Sequence, residues 1–171
     1  MATPSTTPPA YPDRDRNEEG RPENARPRDR FGAPLPRGSV DELAHRQEPE
    51  DVVDSAAAAL TEAVRLFDEQ RFFEAHEFLE YVWKSDEIDA ADRDFWKGVT
   101  QVAVGSCHVQ RGNDVGAATL LRRAADYLQP YPAVHHGVDA ATLRDKARVL
   151  AEQVEREGAS PDRSFFPFPR A

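Results

Sequence analysis

Cysteine is nearly absent from this sequence, since Cys107 is the only one in 171 residues. A single cysteine excludes an internal disulfide framework and any zinc site built from four cysteines. Lysine is also scarce, with 3 residues against 19 arginines, and the formal net charge is -9. Proteins that bind a phosphate backbone usually carry a concentrated basic face, so we expect no nucleic-acid partner.

Long hydrophobic runs are also missing. The longest uncharged stretch in the helical middle of the chain is Gly98 to Gln110, well short of the roughly 20 apolar residues that a membrane-spanning helix needs. The first fifty residues contain no apolar segment of the kind found in secretory signals. We therefore expect a cytoplasmic protein without a membrane partner.

Proline is absent from residues 51–129, whereas residues 1–50 contain nine prolines and residues 130–171 contain five. The first fifty residues also have few large apolar side chains, and such a segment buries too little surface to offset its chain entropy. This distribution predicts a disordered tail over 1–50, a helical bundle domain over 51–157 and an apolar C-terminal tail over 158–171. The Phe/Pro-rich end could fold back on the bundle or dock on a partner, and the sequence leaves both open.

The apolar spacing between the two proline-rich ends is helical throughout. Apolar residues recur at three- and four-residue intervals, which is the period of a helix with one buried face. No β pattern competes with it. The predicted helices run over about Val53–Phe67, Phe72–Lys84, Ala91–Gln110, Asp114–Leu128 and from Asp139 to about Arg156.

A weak internal repeat relates the first two predicted hairpins. Gln70 to Ala75 is matched 42 residues later by Gly112 to Ala117, and each corner has a small residue where two helices can approach closely. Such corners resemble those of tetratricopeptide hairpins, although the period differs. The predicted fold is an all-α, five-helix bundle of two tetratricopeptide-like αα-hairpins plus a C-terminal helix.

Polar residues interrupt the apolar stripes of the second and third predicted helices. His76 falls within the stripe of the second, Glu80 at its edge and Glu77 on its flank, whereas Glu74 points almost opposite His76. Gln101 and His108 share a line on the third. The predicted polar cluster is Glu74, His76, Glu77, Glu80, Gln101 and His108, and the predicted packing anchors are Phe72, Trp83 and Trp96.

The residues around this cluster resemble a known family. The run from Phe72 to Glu77 with Glu80 and Trp83, followed by Gly98–Ala103 and His108, is similar to domain of unknown function family 309. The series continues through 111–117 and 137–139, so the resemblance covers roughly residues 55–150. It implies a compact all-α bundle and gives no reaction, because the role of that family is unassigned.

The leading functional hypothesis is a non-enzymatic binding or interaction module. In it, His76, Glu80 and Gln101 form a hydrogen-bond network across a helix seam, His108 is satisfied near the first corner, and the groove between the hairpins is the site. The partner would be a protein or a small molecule, with no cofactor. Homo-oligomerisation stays open, because the third predicted helix is apolar over most of its circumference.

Two other hypotheses stay open at this point. One is a small metal-dependent, hydrolase-like enzyme centred on His76, Glu77 and Glu80, in which the i, i+4 pair His76 and Glu80 holds a divalent metal. His108 would lie roughly 10 Å further along the helix axis, too far to share that metal. The other is a polar pocket that binds a small ligand, with His76 and Glu80 as an acid–base pair.

Overall fold

The computed structural model describes residues 26–171 and is helical over most of that length. It confirms the predicted all-α class. The described residues form six α-helices, a 3₁₀ turn over Ala90–Asp92 and one small hairpin. The helices are α1 (Pro49–Val52), α2 (Ala56–Asp68), α3 (Phe72–Lys84), α4 (Arg93–Gln110), α5 (Asp114–Leu128) and α6 (Ala140–Glu157). None of these helices is both long and apolar enough to cross a bilayer.

Side-chain caps begin the helices where the sequence supplies a short polar residue. The hydroxyl of Ser55 accepts a hydrogen bond from the Ala58 amide, and so α2 begins three residues later than the apolar stripe alone predicts. Asn113 caps α5 and Asp139 caps α6 in the same way. Each cap satisfies an amide that has no partner within its own helix.

The five long helices form an antiparallel array in which each packs mainly against its neighbours in the sequence. Two glycines of α4 set the distance to α5. A Cβ atom on Gly105 would lie 2.7 Å from Leu121 Cγ, and one on Gly98 would lie 2.9 Å from Tyr127 Cβ. Only a residue without a side chain allows so close an approach, and so α4 is deeply buried, as predicted.

Part of the predicted disordered tail lies against the bundle, and here the structure differs from the prediction. The Phe31 carbonyl accepts hydrogen bonds from the Cys107 thiol at 3.2 Å and from Arg111 Nε at 3.1 Å. Gly32 packs directly on the Phe73 ring, and Leu43 is buried in the core. Residues 26–48 therefore cover α3 and α4, while the predicted disorder of residues 1–25 falls outside the described part of the chain.

The Phe/Pro-rich C-terminus folds back on the bundle, which is one of the two alternatives left open by the sequence. The rings of Phe166 and Phe168 lie 5.8 and 5.4 Å from that of Phe67. The carboxylate of Asp68 accepts a hydrogen bond from the Phe168 amide at 2.7 Å. Residues 158–171 are thereby attached to the α2–α3 hairpin.

A two-stranded antiparallel hairpin between α5 and α6 corrects the prediction of no β structure. Strands β1 (Val134–His135) and β2 (Val138–Asp139) pair Val134 with Asp139 and His135 with Val138. The two residues between them, His136 and Gly137, have φ angles of 48° and 75°. Positive φ at both central positions defines a type I′ turn. Two-residue strands are too short to show a period, which explains why the sequence pattern missed them.

Candidate functional site

His76 and Glu80 lie outside the most buried face of α3. The buried face of this helix is centred on Phe72, Ala75, Leu79 and Val82, with relative exposures of 1% or less. This face leaves His76 and Glu80 at its edge. The anchors Phe72 and Trp96 are buried, whereas Trp83 is half-buried. The ammonium groups of Lys84 and Lys97 lie 5.4 and 5.8 Å from its ring.

Glu74 is buried although the sequence analysis placed it opposite His76. Its Oε1 accepts a hydrogen bond from Arg71 Nε at 2.9 Å, and its side chain is 10% exposed. Arg71 itself stays half-exposed and also pairs with Glu69. Because the Arg71 guanidinium pairs with it, the Glu74 carboxylate can lie against the core. Glu74 thus contributes to the packing of the α2–α3 corner.

His76 is mostly enclosed, and its Nδ1 makes a hydrogen bond with the carbonyl oxygen of Phe73, one turn earlier in α3. Its ring lies 4.9 Å from that of Phe73. Burial lowers the pKa of His76, and the positive charges of Arg111 and Arg28 act in the same direction, while Glu80 and the Phe73 carbonyl oppose them. The side chain is therefore a neutral imidazole near neutral pH.

Glu77 is the most perturbed carboxylate of the described residues. Its Oε1 accepts a hydrogen bond from Arg46 Nε at 3.2 Å, whereas its Oε2 is buried and has no hydrogen-bond partner among the described residues. Burial raises the pKa of Glu77 to about 7, against the opposing charge of Arg46. A glutamate in this position titrates near neutral pH and keeps one oxygen free for a donor.

Gln101 and His108 do not join the residues of α3. The Oε1 atom of Gln101 is buried without a partner among the described residues, and His108 Nδ1 pairs with Asn113 Nδ2 at 3.1 Å. Glu80 bonds to Lys84 Nζ at 3.3 Å on the surface. The polar bridge between α4 and the α2–α3 corner comes instead from Gln110, whose Nε2 donates to the Gln70 carbonyl at 2.8 Å. The sequence analysis missed Gln110 because it lies at the end of its helix.

A groove runs beside the C-terminal half of α3, between that helix, α1 and the loop that follows Lys84. Its volume is about 590 Å³. Six carboxylates and one ammonium group contribute to its walls, together with Pro49, Tyr81 and Ser85. The carboxylates are those of Glu48, Glu50, Glu77, Glu80, Asp86 and Glu87, and the ammonium group is that of Lys84. Two members of the predicted cluster, Glu77 and Glu80, thus line one concave surface.

A second polar cluster lies at the N-terminal end of α4, where the hairpin meets the 3₁₀ turn. His135 Nε2 is 2.7 Å from one carboxylate oxygen of Asp92, and His136 Nε2 is 2.7 Å from the other. These two hydrogen bonds lower the pKa of Asp92. Each oxygen of the Asp92 carboxylate therefore accepts a hydrogen bond from one imidazole.

Aromatic rings surround the two histidines. The His135 ring lies 4.8 Å from that of Phe95 and 5.3 Å from that of Tyr131, and the His136 ring lies 5.9 Å from that of Trp96. The side chains of Asp92 and His135 are 18% and 22% exposed, whereas that of His136 is 47% exposed. The cluster is thus walled on one side and open to solvent on the other.

Sequence reasoning missed this cluster entirely. The adjacent pair His135-His136 before Gly137 was a visible signal, because two histidines beside a turn-forming glycine are candidate ligands at one point of the chain. Its partner Asp92 is 43 residues from His135. Only the packing of the hairpin against the start of α4 brings these residues together.

Comparison with known proteins finds a family that matches the middle of the chain. The model of the family described as Domain of unknown function (DUF309) matches residues 60–120. The resemblance inferred from the sequence is thereby confirmed. The DUF309 match includes α3, α4 and Asp92, but it ends before His135 and His136.

A relative of the chain in Bacillus subtilis (strain 168) is the uncharacterised protein YpuF. It is 36% identical over 90 residues, which are 52% of this chain and 51% of YpuF. The chain therefore spans about half the length of this curated relative. No solved structure gives a significant match to the chain. Like DUF309 itself, YpuF carries no assigned activity in its name, and so function has to be argued from the site.

Proposed function

We propose that the chain is a non-enzymatic binding module whose acidic groove beside α3 takes a positively charged segment of a partner protein. The observation that carries this proposal is the excess of carboxylates in the groove wall, to which six carboxylates and one ammonium group contribute.

The charge of the groove favours a cationic occupant. Of the six carboxylates, Arg46 pairs with two and Lys84 with one. The other three, those of Glu50, Asp86 and Glu87, have no cationic partner among the described residues. A guanidinium or ammonium group could pair with these carboxylates, and Tyr81 offers apolar surface for its methylene stem. From the composition we further expect a cytoplasmic protein whose partner is neither a nucleic acid nor a membrane.

The competing hypothesis, a metal-dependent enzyme centred on His76, Glu77 and Glu80, receives less support from the geometry. His76 uses Nδ1 on a backbone carbonyl, Glu77 uses Oε1 on Arg46, and Glu80 bonds Lys84. Among residues 26–171, the one group of three side chains spaced to hold a metal ion lies elsewhere and includes none of these residues.

The proposal is tested by titrating the protein with a basic peptide of mixed Arg and Lys content and with an acidic peptide of equal length. We expect the basic peptide to bind, weakening as salt rises, and amide signals of α3 and its following loop to shift in NMR spectra. Glu77→Gln and Glu80→Gln should each weaken binding by about fivefold, or about 1 kcal/mol, whereas Glu152→Gln on α6 should not. Equal binding of both peptides, or equal losses in all three variants, would overturn the proposal.

A further inference from the structure

The cluster of Asp92, His135 and His136 brings together two imidazole nitrogens and one carboxylate. One ligand atom from each of these residues lies within 4.8 Å of those of the other two, and they form the one such group among the described residues. Two histidines and one carboxylate are the donor set of many zinc sites and of non-haem Fe(II) sites with open positions. We propose that these three side chains form a binding site for a divalent transition-metal ion of the Zn²⁺ class.

The distances suit such an ion after small side-chain rotations. Ligands at about 2.0–2.1 Å from a tetrahedral zinc lie about 3.3 Å from one another. Each histidine nitrogen now lies 2.7 Å from a different oxygen of Asp92, so these contacts have to open by about 0.6 Å and one histidine has to turn toward the oxygen that binds the ion. His136 is half-exposed at the tip of a hairpin, where its side chain can adjust without disturbing the core.

The surroundings hold the ligands in place. Ring contacts with Phe95 and Tyr131 fix His135, and a hydrogen bond from the Tyr131 hydroxyl to the Ala91 carbonyl at 2.8 Å fixes the turn that carries Asp92. The type I′ turn at His136-Gly137 sets the two histidines at one end of the hairpin. Preorganised ligands of this kind lower the cost of ordering the site when an ion binds.

The donor set also limits which ion fits. Two neutral imidazoles and one carboxylate favour Zn²⁺ and other first-row transition metals, whereas Mg²⁺ and Ca²⁺ prefer sites made of oxygen alone. Three protein ligands leave a fourth position on the exposed side of the cluster, where His136 is 47% exposed. A water molecule or an external ligand would occupy that position, as in zinc sites that are not closed by a fourth side chain. This inference is independent of the acidic groove, whose lining includes none of these three residues.

The experiment is a calorimetric titration of untagged, chelator-treated protein with zinc chloride alone, beside a titration with magnesium chloride. We expect one zinc ion to bind per chain and magnesium not to bind. Cobalt(II) should give the visible absorption bands of a low-coordinate site. The thermal midpoint should rise in zinc, because the ion ties the hairpin to the start of α4.

His136→Asn is the most informative variant. Asn-Gly is the preferred pair in a type I′ turn, so the hairpin should keep its fold while it loses an imidazole. Zinc affinity should fall by about 100-fold or more in this variant and in Asp92→Asn, and it should be unchanged in His45→Ala, which removes an exposed histidine of the N-terminal segment. The proposal fails if zinc does not bind, if it binds equally in His136→Asn, or if His45→Ala lowers the affinity as much.

Discussion

The two polar clusters of this chain differ in how their carboxylates are satisfied. On α3, Glu77 has one oxygen paired with Arg46 and one without a partner among the described residues. At the hairpin, Asp92 has an imidazole nitrogen 2.7 Å from each of its two oxygens. The position of a polar residue on a packed helix is set by which face of that helix is buried. A tight turn packed against the start of a helix can instead bring several polar side chains to one point. We propose that the acidic groove beside Glu77 takes an external cation and that the second cluster takes a metal ion.

The largest loss of stability should come from the removal of the Phe73 side chain, which packs between α3 and the N-terminal segment. Phe73 is 7% exposed, and the guanidinium groups of Arg28, Arg46 and Arg111 lie 5.1, 5.8 and 5.8 Å from its ring. Phe73→Ala should lower the free energy of unfolding by about 3 kcal/mol or more, through the cavity and the loss of contacts with Gly32. Urea denaturation measures this loss. Val115→Ala, at an exposed position, should change stability by less than about 0.5 kcal/mol. Equal losses would contradict the packing account.

The next effect concerns pH. Because the pKa of Glu77 is raised to about 7 in the folded protein and is near 4.5 when the chain is unfolded, the folded state binds more protons between these values. Stability should therefore fall as pH rises from about 4.5 through about 7. Glu77→Gln removes this term, on the order of 2–3 kcal/mol. Urea denaturation of both proteins at pH 5 and pH 8 gives the difference, and parallel pH dependence in the two proteins would contradict the account.

A smaller effect is expected for His76→Ala. The imidazole bonds a carbonyl inside α3 and packs against Phe73, so its removal should lower the free energy of unfolding by about 1 kcal/mol. The loss should shrink below the pH at which the imidazole becomes protonated, since burial lowers the pKa of His76 and protonation destabilises the folded state. Thermal unfolding at pH 5 and pH 7.5 tests this. An unchanged midpoint at pH 7.5 would mean that His76 contributes nothing to the stability of this region.

The smallest effect should come from Asp92→Asn in the absence of metal. The hydrogen bonds from His135 and His136 lower the pKa of Asp92, so its contribution is present above about pH 4 and is lost as pH falls below that value. Exposed pairs of this kind contribute under about 1 kcal/mol. The difference in urea midpoint between the two proteins should thus be small at pH 7 and should shrink as pH falls below about 4. A large difference at pH 7 would mean that the cluster contributes mainly to stability.

Much of the fold could be predicted from the sequence, because long helices carry their period in every turn. The bounds of α3 and α5 agree with the predicted Phe72–Lys84 and Asp114–Leu128. The contacts of residues 26–48 could not be predicted in this way. The bonds to the Phe31 carbonyl use a backbone acceptor that any residue would offer, and Gly32 contributes only by having no side chain.

The candidate sites were predicted less well than the helices. Helical spacing identified Glu77 and Glu80, which line the acidic groove, but it also grouped them with Gln101 and His108, to which the structure does not join them. The observed buried face of α3, centred on Phe72, Ala75, Leu79 and Val82, lies to one side of His76. This difference in orientation is enough to keep the polar residues of α3 away from Gln101 and His108. The cluster of Asp92, His135 and His136 depends on contact between residues more than 40 positions apart, and helical periodicity carries no information about that contact.

The measurement that tests the central claim most directly is the amount of zinc bound by wild type, His136→Asn and His76→Ala after equilibration with zinc and gel filtration, with folding of each protein verified by circular dichroism. The account predicts one zinc per chain in wild type and in His76→Ala, and none in His136→Asn. Zinc retained by His136→Asn and lost from His76→Ala would contradict it, because the metal would then belong to α3 rather than to the hairpin.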